Sequence, residues 1–128
     1  MNPLADMLNS LKLAAKTGKS SVVVPYSNLK NEVAKVLVST GYLKAVNQLG
    51  KKNRKYLEFF LAYKDKMPKL SGLRHVSKPS RRVYRGTKSL TGVKSGRGLA
   101  IVSTPQGVMT DRAARAAKIG GEILAEVW

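Results

Sequence analysis

The chain has no cysteine. Disulfides, thiolate metal sites and cysteine nucleophiles are therefore excluded, and the absence suits a reducing compartment. It has one histidine, His75. The sequence offers no second imidazole and no clustered carboxylates to complete a metal site or a catalytic triad around it. No apolar run approaches the roughly 20 residues of a membrane-spanning helix. The first residues, MNPLADMLNSLKLAAK, place Asp6 before Lys12 and Lys16. A secretory leader needs the opposite order, with positive charge ahead of an apolar run. Gly92, Gly96 and Gly98 lack the Lys-Ser/Thr that follows a phosphate-cradling loop. Catalysis and a resident cofactor thus have no support, and neither does a small-molecule substrate.

Acids are the scarcest charged class. There are seven, Asp6, Glu32, Glu58, Asp65, Asp111, Glu122 and Glu126, against 24 lysines and arginines in 128 residues. The net charge of +17 would repel itself strongly in a compact state, which points to a polyanionic partner. A 43% hydrophobic share is too high for a disordered basic tail. The charge therefore decorates a folded body of one domain or two small lobes. Between Asp65 and Asp111 no carboxylate interrupts Lys66, Lys69, Arg74, Lys78, Arg81, Arg82, Arg85, Lys88, Lys94 and Arg97. Ordinary solvated surfaces interleave both signs. A stretch this long of one sign reads as phosphate-facing.

Periodicity predicts an α-β-α-β-β arrangement for the first half. Asn2 and Pro3 open a helix with the stripe Leu4, Met7, Leu8 and Leu11, which Gly18 ends. Ser21–Val24 is a β-branched strand before Pro25. Ser27 caps a second helix with Leu29, Val33, Val36 and Leu37 inside, stopped at Gly41. Tyr42–Leu49 and Arg54–Tyr63 form strands joined by the turn Gly50–Asn53, with Leu57, Phe59, Leu61 and Tyr63 on one face. Leu8, Leu11, Leu29, Val33 and Leu37 are expected to pack on Leu57, Phe59 and Leu61. Lys64–Leu73, with Pro68 and Gly72, is the expected boundary. The lobes then run 1–66 and 67–128. In the second, Leu73–Ser77, Arg82–Arg85, Gly98–Ser103 and Glu122–Trp128 are predicted strands. Thr104–Gly107 is a turn, and Thr110 caps a short helix that Gly120–Gly121 terminates.

Two segments carry chemistry. Arg81-Arg82-Val83-Tyr84-Arg85 interleaves guanidinium groups with a ring. Arginine pairs with phosphate bidentately and tyrosine stacks on an unpaired base. The segment reads equally well as a basic edge strand with Tyr84 packed inward. Ser103-Thr104-Pro105-Gln106-Gly107 is a small polar turn between apolar runs. Such a turn can enter an RNA minor groove, and it can equally be an ordinary hairpin connection.

In order, these segments resemble small-subunit ribosomal protein S-eight, in its bacterial or organellar form, across nearly the whole chain. The resemblance rests on Pro3–Leu8, Val24–Ser27, Val76–Pro79, Arg82–Tyr84, the long run Gly98–Asp111, Ala113–Arg115 and Gly120–Leu124. It implies an α+β protein, an N-terminal α/β lobe packed on a mainly β C-terminal lobe with one short helix. It also implies binding to an irregular stem in the central domain of small-subunit rRNA, early in subunit assembly. Ser103, Thr104 and the backbone through Pro105, Gln106 and Gly107 would meet unpaired bases in the minor groove. Tyr84 and Glu122 would assist, Glu122 by accepting hydrogen bonds, and Arg82, Lys12 and Lys30 would touch phosphate. Pro105 and Gln106 replace the family's common serine and lysine, which removes one hydroxyl and one charge. Gly96-Arg97-Gly98 and Ser80-Arg81 add arginine where the common form is apolar.

The expected function is therefore a structural, rRNA-binding constituent of the small ribosomal subunit, beside neighbouring ribosomal proteins in the cytoplasm or an organelle. A translational repressor binding an mRNA mimic of the same stem is the alternative. A basic membrane-surface protein would need a helix with lysines opposite aromatics, which is missing.

Overall fold

The computed structural model describes residues 3–78, 80–86 and 98–128. They form an α+β fold of two compact units, residues 3–71 and 72–128.

The first unit opens with α1 (Pro3–Thr17), whose Leu4, Met7, Leu8, Leu11, Ala14 and Ala15 are buried at three- and four-residue spacing. Gly18 ends it with φ of +74°, and the predicted cap Asn2 lies outside the described residues. Strands β1 (Ser21–Pro25), β2 (Leu43–Lys51) and β3 (Arg54–Leu61) pair antiparallel in the order β1-β3-β2. Leu57, Phe59 and Leu61 alternate into the core as the pattern requires. Tyr63 does not continue that face. It is half-buried and begins a separate hairpin of β4 (Tyr63–Lys64) and β5 (Met67–Pro68). Asp65 and Lys66 turn this hairpin at φ of 52° and 66°. A turn of that shape normally announces itself with Asn-Gly or Asp-Gly, so the hairpin left no signal in the sequence.

α2 (Asn28–Ser39) is capped by the Ser27 hydroxyl, which accepts from the Lys30 amide at 3.1 Å. Its rotation differs from the expected one. Lys30, Val33, Ala34 and Leu37 are the buried positions, Val36 is intermediate, and Leu29 is 37% exposed. Lys30 can take an inward position because its stem is aliphatic and its ammonium donates to the Pro25 carbonyl at 2.6 Å. Counting only apolar letters put Leu29 in that place.

The second unit is organised by its last strand. β10 (Gly121–Val127) pairs along one edge with β6 (Leu73–His75) and β7 (Tyr84–Arg85) in tandem, and along the other with β8 (Leu99–Thr104). β8 pairs in turn with β9 (Gly107–Thr110), a strand the sequence reading passed over as turn and cap. α3 (Asp111–Ala116) covers this sheet. Its Ala114 joins Ala100, Val102 and Ile123 in a buried cluster, with Val76, Val83, Met109, Ile119 and Trp128 packed against it. Thr110 caps α3 as predicted, accepting from the Ala113 amide at 3.1 Å. Asp111 does more than face the helix dipole. It is 2% exposed, accepts from the Ala100 amide at 3.2 Å, and pairs with Arg115 at 3.1 Å.

The end of α3 corrects another expectation. Ile119 donates to Ala114 and Lys118 to Arg115, a Schellman closure with Lys118 at φ of 57° in the position glycine favours. The helix therefore stops before Gly120–Gly121. Lys118→Gly is expected to stabilise the protein by about 1 kcal/mol, because a left-handed residue with a Cβ costs about that much. Thermal melts of the two proteins check this; an unchanged or lower midpoint contradicts the assigned strain.

Candidate nucleic-acid interface

Residues paired directly across an antiparallel ladder share one face. Glu122 on β10 is opposite Tyr84 on β7 and, on its other side, opposite Ser103 on β8. Three residues from separate stretches of sequence thus form one row across three strands. Tyr84 is 65% exposed, which removes the reading in which its ring packs inward. Beside the row, the Arg82 guanidinium lies 3.3 Å from the Glu122 carboxylate. The pair is solvent-accessible on the arginine side and worth little to stability. It does orient Glu122 and keep one cation at the row.

Next to Ser103 the chain turns. Thr104 is opposite Gly107, with Pro105 and Gln106 between them, and Gly107 alone takes positive φ, at 115°. Pro105 presets the first turn angle. The Thr104 hydroxyl donates to the Gly107 carbonyl at 2.7 Å and accepts from the Gln106 amide at 3.1 Å. Its one proton is therefore spent on holding the turn. The half-buried Ser103 hydroxyl has no hydrogen-bond partner among the described residues. The two hydroxyls, read alike in the sequence, differ in what they can offer a ligand.

The row requires β10 to come very near β8 and β7. A Cβ on Gly121 would fall 2.2 Å from the Ser103 carbonyl oxygen, and one on Gly120 2.3 Å from that of Arg85. The glycine pair had read as a helix stop. Its adjacency to a predicted strand was the available clue to close backbone approach. Ser77, also missed, is 1% exposed and braces the basic strand, its hydroxyl accepting from the Val83 amide at 2.9 Å. His75, opposite Ala125, is held below its usual pKa by burial first and then by Lys78 and Arg82, with Glu122 opposing. The lowering favours the neutral ring, so His75 adds little to the basic surface.

The phosphate candidates separate. Lys12 is exposed on α1. Lys30 is 5% exposed and its ammonium donates to the Pro25 carbonyl, so little of the side chain stands at the surface. Arg81 bridges Lys78 through reciprocal backbone hydrogen bonds of 2.9 Å and leaves its side chain exposed. Lys88, Lys94 and Arg97 lie outside the described residues. Among the described residues no group of acids and histidine could hold a metal ion, and no helix is long and apolar enough to cross a membrane.

The family model for ribosomal protein S8 matches residues 2–128. The chain belongs to the ribosomal protein S8 family. It is a structural ribosomal protein and not an enzyme. Among its relatives are the small ribosomal subunit proteins uS8 of Acidithiobacillus ferrooxidans and Paracoccus denitrificans, each 44% identical, and of Thermus aquaticus, 39% identical. The alignments cover 98–99% of this chain and 96–98% of those proteins. Near-complete coverage from both sides means that the two units of the S8 chain, and the Gly98–Asp111 segment that contains the turn, all fall within the match.

Proposed function

We propose that this S8-family chain is a constituent of the small ribosomal subunit that binds an irregular stem in the central domain of small-subunit rRNA and supports subunit assembly. Exposed lysines and arginines supply affinity through phosphate, and the row supplies discrimination. The observation that carries the reading is the alignment of Tyr84, Glu122 and Ser103 across three strands beside an exposed, proline-stiffened turn. An aromatic face, a carboxylate acceptor and an unpartnered hydroxyl are what unpaired bases and sugar hydroxyls can engage. The rigid turn brings backbone groups to the same place without a bulky side chain in the way.

Filter binding at fixed salt, comparing the irregular stem with a fully paired version, tests it. Ser103→Ala should weaken binding to the irregular stem by about 1–3 kcal/mol, the cost of a hydrogen bond left unmade. Weak binding to plain duplex should not change. Thr104→Ala should also lose discrimination, through a loosened turn rather than a lost contact, and Thr104→Ser should restore it. If Ser103→Ala and Thr104→Ala both keep the original ratio of affinities, the segment is only a hairpin connection.

A further inference from the structure

The first unit has an uncovered sheet face. On β3, Leu57, Phe59 and Leu61 are buried on one side, so Arg54, Tyr56, Glu58 and Phe60 stand on the other. Tyr56 is opposite Pro25 on β1 and Leu49 on β2, and Tyr56 and Leu49 are each 41% exposed. At this end of the sheet the chain runs Lys51-Lys52-Asn53-Arg54-Lys55. None of these four cations makes an ion pair among the described residues. Tyr26, Tyr56, Lys52, Arg54 and Lys55 border an open surface cleft of about 490 Å³.

The walls are partly preset. The Lys55 ammonium lies 5.6 Å from the centre of the Tyr26 ring, and the Tyr26 hydroxyl donates to Asn28 at 2.8 Å. The Tyr56 ring has no partner of this kind among the described residues. Cations alone would serve any anion, and an exposed ring alone any apolar surface. Together, a free ring flanked by leucine and bordered by three cations matches a group with a flat base at one end and a phosphate at the other. Glu58, the only acid on β2 or β3, lies on Tyr56's far side from the cations, so phosphate is favoured at the hairpin end.

We propose that this cleft binds one unpaired nucleotide of an RNA strand, with the base against Tyr56 and the phosphate among Lys52, Arg54 and Lys55. It is a second site, independent of the Ser103 row. The test titrates the isotope-labelled full chain with a short unstructured tetranucleotide, following backbone amides by NMR, beside parallel titrations with tripolyphosphate and oligoglutamate. Shifts should concentrate at Tyr26 and residues 52–56. Tyr56→Leu, which keeps apolar bulk on an exposed strand position, should weaken the nucleotide response about fivefold or more, and Tyr56→Phe should retain it. Ser103→Ala should leave these shifts in place. The proposal fails if the tetranucleotide leaves residues 52–56 unmoved, or if Tyr56→Leu binds it as the parent does. An oligoglutamate response stronger than the nucleotide's would overturn it in favour of an acidic protein partner.

Discussion

Raising monovalent salt from about 50 to about 200 mM is expected to weaken rRNA binding by about 10²- to 10⁴-fold. The reasoning starts from charge placement. A net charge of +17 is carried by a folded body, with no carboxylate between Asp65 and Asp111. If roughly five to eight phosphates are neutralised, log K falls against log salt with a slope of about −4 to −7. Single substitutions refine the test. Lys12→Ala, at an exposed position, should reduce the slope by about one unit on every RNA alike. Lys30→Ala should leave the slope alone, since its ammonium already sits on the Pro25 carbonyl. Arg82→Ala is less clean, because it also unpairs Glu122. A slope near zero would remove phosphate contact as the source of affinity.

Leu37→Ala should lower the stability of the free protein by about 2–5 kcal/mol, the range for a buried leucine that leaves a cavity. Leu37 is fully buried on the inward face of α2, between Val33 and Ala34 one turn before it and the sheet strand β2 that follows. In a unit of this size the melting midpoint should fall by about 8 °C or more. Leu29→Ala, on the exposed side of the same helix, should cost less than about 1 kcal/mol. Comparable losses at the two positions would mean that α2 is rotated away from the orientation described.

What was legible in the sequence follows from which interactions are local. Alternation in β3 and the three–four spacing in α1 are set by each element's own periodicity, and both were readable. So was the Thr110 cap, whose donor lies three residues away. The rotation of α2 was not, because it depends on a lysine whose ammonium donates to a carbonyl on another element. The hairpin at Asp65–Lys66 and the closure at Lys118 escaped for a different reason. Each places a residue with a Cβ where glycine is the usual marker. The candidate site was legible as residues but not as an arrangement. Its members came from the basic strand, the turn and the glycine-led strand, the last read through family resemblance alone. Only pairing through β10 shows that Tyr84, Glu122 and Ser103 are neighbours. The difference between the Ser103 and Thr104 hydroxyls is likewise a matter of geometry.

β10 has a bearing on synthesis as well as on structure. Among the described residues β6, β7 and β8 are joined in one sheet only through it, and it is made after all of them. Residues 121–128 contain no lysine or arginine, so every one of the 24 basic side chains is already translated when Gly121 is added. On the proposed function, a nascent chain halted at that point would hold all of its basic charge and have no assembled row. If the row discriminates as proposed, the polypeptide is an unselective polycation until its final strand docks, and selectivity arrives in a single late step.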